Sequence, residues 1–152
     1  MGGGVIWKSN FRILLVEDNV GDVVLFNEAL NHLDNVVELK IVKDSLTAIK
    51  HLAELPTSDL FPDLILSDIN MPGMSGKDLL IALKNDIQFS DIPVIMMSTT
   101  SDPTEIKQAF ELGARYFAVK RDSVDQIEKL FRKMINLVTL SEKPRSLKDF
   151  VL

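Results

Sequence analysis

The stretch Leu64-Ile65-Leu66-Ser67-Asp68 decides the fold, because a run of apolar residues leads directly into a carboxylate. Consecutive apolar residues are typical of a strand that is covered on both faces of a parallel sheet. Similar apolar runs occupy residues 13–16, 94–97 and 117–119. Residues 37–41 alternate between apolar and polar side chains instead. This alternation fits a strand at the edge of the sheet, where one face is less covered.

Stretches with helical periodicity separate these runs. In the last of them, apolar residues follow Ile127 at spacings of 3, 4, 7 and 11, which predicts one buried helix face. Asp102-Pro103 offers a helix cap followed by a proline at the first helical position, and Ser123 with Gln126 forms a capping box. Gly113 stands where the fourth helix has to end, in a position that favours positive φ.

Five alternations of strand and helix predict an α/β fold with a parallel sheet and helices on both faces. We predict a flavodoxin-like, doubly wound (βα)5 arrangement, in which the five-stranded parallel sheet has the strand order 2-1-3-4-5. In folds of this kind, ligands bind at the carboxyl ends of the strands where the strand order reverses. That crevice is expected beside strands one and three.

Composition limits both the size and the class of the protein. The chain has 152 residues, of which 46% are hydrophobic and 26% charged, as expected for one globular domain. Its net charge of −5 argues against binding nucleic acid or an anionic membrane. The absence of cysteine excludes disulfides and thiolate chemistry and fits a cytoplasmic location. No apolar stretch approaches the ~20 residues needed to cross a membrane.

Three segments are expected along the chain. Residues 1–10 should form a flexible leader, residues 11–138 the domain, and residues 139–152 a short C-terminal tail without an output domain. The tail has enough apolar residues for one docked helical turn or for none.

Polar side chains follow four of the five predicted strands. In chain order these are Glu17, Asp18, Asp68, Asn70, Ser98, Thr99 and Lys120. Any one of the acids could equally be a helix cap, but three carboxylates drawn together need a cation to offset their repulsion. Mg²⁺ takes one or two carboxylates and leaves positions for a phosphate. We expect Asp18 to bind Mg²⁺ directly, Glu17 to bind it through a water, and Asn70 to offer its main-chain carbonyl.

Asp68 is the candidate nucleophile of this crevice. A carboxylate can attack a phosphoryl group and form an aspartyl phosphate. Ser98 and Lys120 flank the expected position of that group, one as a hydrogen-bond donor and one as a point charge. The two histidines, His32 and His51, fall within predicted helices away from the crevice, where surface roles are expected.

Four motifs in this order resemble the receiver domains of bacterial-type two-component response regulators, from about Phe11 to Leu137. The resemblance rests on Leu-Leu-Val-Glu17-Asp18-Asn19, Pro62-Asp-Leu-Ile-Leu-Ser-Asp68-Ile-Asn70-Met-Pro72-Gly-Met-Ser-Gly76, Ile92-Pro93-Val-Ile-Met-Met-Ser98 and Gly113-Ala-Arg-Tyr-Phe117-Ala-Val-Lys120. Each match is weak alone, but four of them in order at strand ends are highly specific.

The resemblance implies a role for each residue of the crevice. Asp68 is similar to the phosphoacceptor, Glu17 and Asp18 to the acidic pair that organises Mg²⁺, and Lys120 to the phosphate-contacting lysine. Ser98 is similar to the switch hydroxyl. Phe117 corresponds to the switch aromatic. A packed strand residue without a switching role is an equally good interpretation of Phe117.

A signalling role follows from the same resemblance. The protein would catalyse its own phosphorylation and dephosphorylation rather than turn over a separate substrate. Its partner would be a sensor histidine kinase or a phosphotransfer protein. Phosphorylation would change the surface of the fourth helix, fifth strand and fifth helix, where a partner or a second copy of the chain would bind. Residues 17–22 and the proline-bearing segment 56–62 are similar to stand-alone receivers that partner phytochrome-type and other sensor kinases.

Two residues depart from the receiver pattern. Arg121 stands where these domains usually have a proline after a cis bond, so the Lys120–Arg121 bond is either a strained cis bond or a trans bond that places the lysine differently. Thr99 stands where a smaller residue is usual. Its methyl group is expected to narrow access to Asp68 and to slow phosphoryl entry or hydrolysis.

Three other functions would use a similar fold. An aspartate-nucleophile phosphatase needs a second acid two residues after the nucleophile, where this chain has Asn70. A flavin or nucleotide carrier needs a hydroxyl- or glycine-rich loop after strand one, where Glu17 and Asp18 would repel phosphate. The presence of Asp68, Ser98 and Lys120 argues against a receiver that only binds proteins and is not phosphorylated.

Overall fold

Strands and helices alternate five times along the chain before a final short helix. The structure is a computed structural model that describes residues 11–33 and 37–152. The strands are β1 (Phe11–Val16), β2 (Val37–Val42), β3 (Leu64–Asp68), β4 (Val94–Ser98) and β5 (Tyr116–Val119). The helices are α1 (Val20–Asn31), α2 (Ser45–Glu54), α3 (Gly76–Lys84), α4 (Pro103–Glu111), α5 (Val124–Thr139) and the single turn α6 (Leu147–Phe150). The expected leader, residues 1–10, lies outside the described residues.

The five strands form one parallel sheet in the order β2-β1-β3-β4-β5, which confirms the predicted fold. Every residue of β3 and β4 is buried, as their continuous apolar runs predict. Strand β2 alternates between partly buried and exposed residues at one edge of the sheet. Because all strands are parallel, their carboxyl ends meet along one rim, where the predicted site residues lie.

Two hydrophobic layers cover the two faces of the sheet. Helices α1 and α5 pack on one face, where Phe26 and Phe131 meet edge to face with ring centroids 5.7 Å apart. Helices α2, α3 and α4 cover the other face together with the buried side chain of Phe117. Burial on both faces is typical of a parallel sheet.

Side-chain caps fix where the helices begin. The Asp102 side chain accepts a hydrogen bond from the Thr104 amide, with Pro103 as the first helical residue. Ser123 likewise accepts from the Gln126 amide. These caps satisfy amides that have no partner inside the helix, as the sequence predicts.

Gly76 sets the distance between α3 and the end of β3. Its amide donates to the Ile69 carbonyl at 2.9 Å, and a Cβ atom at this position would lie 2.1 Å from the Asp68 carbonyl oxygen. Only glycine allows so close an approach. The start of α3 is therefore held directly against the strand end that carries Asp68.

The tail forms the docked helical turn that was one of its two expected outcomes. Helix α5 continues to Thr139, and the chain then returns to the sheet through α6. Val151 next pairs with Phe117 as a parallel β-bridge. The outer side of β5 is therefore covered by residues of the tail. In the part of the chain that the structure describes, no helix has the length and apolar character to cross a membrane.

Candidate functional site

The ammonium group of Lys120 lies at the centre of the carboxyl rim. Its Nζ is 2.8 Å from Glu17 Oε2, 2.9 Å from Asp22 Oδ2 and 3.4 Å from Asp68 Oδ2. The Glu17 side chain is fully buried, and only 8% of the Lys120 side chain is exposed. The Lys120 ammonium group thus joins the end of β5 to the ends of β1 and β3 and to the first turn of α1.

Three carboxylates face one another beside this lysine. Glu17, Asp18 and Asp68 each present an oxygen, and these oxygens lie within 4.8 Å of one another. Glu17 and Asp68 are buried, whereas Asp18 is exposed. Clustered carboxylate oxygens are hard donors of the kind that Mg²⁺ prefers. The donor set therefore fits a divalent cation reached from solvent on the Asp18 side.

The charges of the rim shift the ionisation of its members. Burial raises the pKa of Asp68, against the opposing charge of Lys120. Burial also raises the pKa of Glu17, although its contact with Lys120 opposes the change. For Lys120 itself, burial favours a lower pKa, but hydrogen bonds to Glu17 and Asp22 and the nearby carboxylate charges raise the pKa. The lysine is therefore firmly protonated and the rim retains excess negative charge.

Local backbone contacts hold the acids in place. Glu17 Oε1 accepts from the Asn19 amide at 3.1 Å, and Asn19 Oδ1 caps α1 by accepting from the Asp22 amide at 3.0 Å. The Asn70 amide donates to Asp68 Oδ1 at 3.4 Å. Turns at the ends of β1 and β3 therefore aim their carboxylates at the same lysine.

Ser98 lies at the end of β4 and is buried. Its hydroxyl donates to Glu105 Oε2 at 3.4 Å and accepts from the Thr100 amide at 3.2 Å. The Ser98 carbonyl also accepts from the Lys120 amide at 2.8 Å, which ties β4 to β5. The next residue, Thr99, is exposed on the same rim.

Arg121, which stands in place of the usual proline, does not displace Lys120 from the site. All peptide bonds among residues 11–33 and 37–152 are trans, including the Lys120–Arg121 bond. With this trans bond, Lys120 still reaches Glu17 and Asp68. Phe117, three residues earlier, is fully buried.

The structure adds residues to the predicted site. Asp22 is a further carboxylate on Lys120, and Glu105 accepts from the Ser98 hydroxyl. The spacing Asn19-x-x-Asp22 is a capping pattern that places an acid in the first turn of α1, so it could have indicated Asp22. His32 lies near Glu128 on the surface, 3.3 Å away, in keeping with its expected surface role.

A doubly wound sheet with clustered acids and one lysine at its carboxyl rim defines a receiver-like signalling domain. The response regulator receiver domain family matches residues 13–132. The chain belongs to this family, whose members are the receiver domains of two-component systems.

Named relatives agree with this membership. The chain is 29% identical to the two-component response regulator ARR8 of Arabidopsis thaliana, over 95% of this chain and 71% of ARR8. It is also 29% identical to response regulator Rcp1 of Synechocystis sp. (strain ATCC 27184 / PCC 6803 / Kazusa), over 78% of this chain and 82% of Rcp1.

Two solved structures are similar across nearly their full lengths. The crystal structure of the Mn²⁺-bound form of Rcp1 has a TM-score of 0.71 and 28% identity, covering 82% of this chain and 91% of that one. The phosphorylated cyanobacterial phytochrome response regulator RcpA has a TM-score of 0.75 and 28% identity, covering 90% of this chain and 99% of that one.

The excess negative charge at the rim predicts an unusual pH dependence of stability. The folded-state pKa of Asp68 is raised, so its contribution to stability is present at low pH and is lost as pH rises through that pKa. Without divalent cations, Asp68→Asn should therefore raise the free energy of unfolding at neutral pH, and this gain should shrink on acidification. Urea unfolding between about pH 4 and pH 8, the range in which a raised carboxyl pKa acts, measures the difference.

Asp122→Asn is the matched control, because Asp122 is exposed. It should show no such pH-dependent gain. If Asp68→Asn destabilises the metal-free protein at neutral pH, the described balance of charge at the rim is wrong.

Proposed function

We propose that the protein accepts a phosphoryl group on Asp68 within a two-component phosphorelay. The observation that supports this most directly is the position of Asp68. Its carboxylate ends β3, one oxygen lies 3.4 Å from Lys120 Nζ, and Glu17 and Asp18 face it. A nucleophilic oxygen thus lies between a fixed cation and donors for a metal.

The transfer step uses a phosphohistidine of a kinase or phosphotransfer protein as donor. An Asp68 oxygen attacks phosphorus, the new O–P bond forms as the P–N bond breaks, and the leaving imidazole nitrogen keeps the electron pair and takes a proton. The product is an aspartyl phosphate, which water later hydrolyses to phosphate and free carboxylate. Lys120 holds a phosphoryl oxygen as a point charge.

Mg²⁺ is the cofactor that we propose for this site, with Asp18 and Asp68 as carboxylate ligands, Glu17 acting through water, and Asn70 offering its main-chain carbonyl. When bound, Mg²⁺ neutralises charge on the transferred phosphoryl oxygens. The carboxylate oxygens clustered within 4.8 Å and the Mn²⁺ in the Rcp1 structure support this choice. The phosphorylated state of RcpA supports the same chemistry at Asp68.

Phosphorylation would act on Ser98 first. The phosphoryl group adds about two negative charges and new acceptor oxygens, which compete with Glu105 for the Ser98 hydroxyl. Movement of Ser98 and Phe117 would then shift a two-state equilibrium of the surface formed by α4, β5 and α5. We propose that downstream partners, or a second copy of the chain, bind this surface. A cytoplasmic location is part of the same proposal.

Incubation with acetyl phosphate and Mg²⁺ tests the phosphoacceptor directly. The intact mass should rise by one phosphoryl group, because the small donor replaces the phosphohistidine. The gain should disappear in Asp68→Asn and when EDTA removes Mg²⁺. Asp63→Asn is a matched control, since Asp63 directly precedes β3 at the end opposite to Asp68, and this variant should be phosphorylated like the wild type. A phosphoryl group that persists in Asp68→Asn would contradict the assignment.

Thr99 is proposed to limit access to Asp68 through its methyl group. Thr99→Ala should therefore increase the rate of phosphorylation by acetyl phosphate, the rate of dephosphorylation, or both, by several-fold. Mass spectrometry over time measures both rates, and Thr100→Ala serves as the neighbouring control. Unchanged rates in Thr99→Ala would show that the methyl group does not restrict entry.

A further inference from the structure

Residues 146–152, which we name the clasp, close the outer side of β5. The Ser146 side chain accepts from the Asp149 amide and so caps the turn of α6. The Leu152 amide then donates to the Phe117 carbonyl at 2.7 Å. An unpaired outer strand is a template for pairing with another chain. The clasp thus occupies part of the backbone edge that β5 would otherwise present.

Phe150 anchors the clasp to the domain. Its side chain is fully buried, with its ring centroid 5.2 Å from that of Phe110 and 6.5 Å from that of Phe117. The contact with Phe110 is edge to face, at an interplanar angle of 84°, which is a favoured aromatic geometry. Phe110 belongs to α4 and Phe117 to β5, so Phe150 joins the two elements.

The Arg121 side chain contacts the clasp at Leu152. Its guanidinium donates to the Val119 carbonyl and, at 3.4 Å, to the Leu152 carbonyl. Arg121 directly follows Lys120, the cation of the functional site. The last residue of the clasp is therefore held by the segment that also carries the lysine.

The two elements that contact Phe150, α4 and β5, are both linked by hydrogen bonds to Ser98 at the end of β4. On one side, the Ser98 hydroxyl donates to Glu105 in the first turn of α4, the helix that carries Phe110. On the other side, the Ser98 carbonyl accepts from the Lys120 amide, which follows β5. A change in the contacts of Ser98 therefore reaches α4 and β5 together.

We propose that the clasp is closed in the unphosphorylated protein and that phosphorylation of Asp68 releases it and exposes the edge of β5. Acceptor oxygens on Asp68 compete for the Ser98 hydroxyl, the bond from Ser98 to Glu105 is lost, and α4 moves relative to β5. The pocket between Phe110 and Phe117 then no longer fits Phe150. This inference rests on the proposed phosphorylation of Asp68. By linkage, opening the clasp must also favour phosphorylation.

Hydrogen–deuterium exchange on the full chain tests the release. In Mg²⁺ alone, the Phe150 and Leu152 amides should be protected, since they donate to Ser146 and Phe117 carbonyls. With acetyl phosphate added, exchange in a peptide that contains the clasp should accelerate about 10-fold, a coupling of ordinary size. Asp68→Asn under the same conditions should stay protected.

Intact mass on the same samples separates two kinds of failure. A protein that takes up no phosphoryl group overturns the proposed function, and the coupling with it. A fully phosphorylated protein with unchanged exchange in the clasp overturns the coupling alone.

Leu152→Pro tests the reverse direction while leaving the buried Phe150 side chain in place. It deletes the amide that bonds to Phe117, and the extended backbone of Val151 (φ −91°, ψ 121°) is compatible with a following proline. At limiting acetyl phosphate, the ratio of phosphorylated to unphosphorylated protein should rise about 5-fold or more. Leu147→Ala, at a position that is 44% exposed in the same segment, should behave like the wild type. Equal phosphorylation of Leu152→Pro and wild type would contradict the coupling.

Discussion

The rest of the structure depends on one buried ammonium group, that of Lys120. It lies within 3.4 Å of carboxylate oxygens from Glu17, Asp22 and Asp68, and so connects β5 with β1, α1 and β3. Buried charges are tolerated only when they are paired, because removing an ion from water costs several kcal/mol. The burial of Glu17 and Asp68 therefore depends on the charge of the lysine.

The same arrangement leaves the rim short of positive charge. Glu17, Asp22 and Asp68 contact the Lys120 ammonium group, and Asp18 adds a further carboxylate beside Glu17 and Asp68. Burial also raises the pKa of Glu17 and Asp68. Such a rim is most stable when it takes up a proton or a divalent cation. This excess of negative charge beside Asp68 is the physical reason for which we propose that Mg²⁺ binds at the rim.

The sequence predicts the site where position along a strand is sufficient. Glu17, Asp18, Asp68 and Lys120 each follow an apolar run, and parallel strands bring their carboxyl ends to one rim. Asp22 and Glu105 lie on helices, and their contacts depend on how each helix is rotated against the sheet.

Phe150 could not be predicted from periodicity, because its burial requires the tail to return to β5. The features that the sequence does not predict are therefore tertiary contacts. They depend on how the helices are rotated against the sheet and on where the turn of α6 docks.

The stability of Lys120→Gln in urea, with and without Mg²⁺, tests the central role of the lysine most directly. Without metal, the variant should lose about 3 kcal/mol of unfolding free energy, as is usual when one partner of a buried ion pair is removed. Saturating Mg²⁺ should restore most of this loss, and should stabilise the variant more than the wild type, because the metal supplies the missing positive charge. Equal stability of the two metal-free proteins, or equal stabilisation by Mg²⁺, would contradict the account.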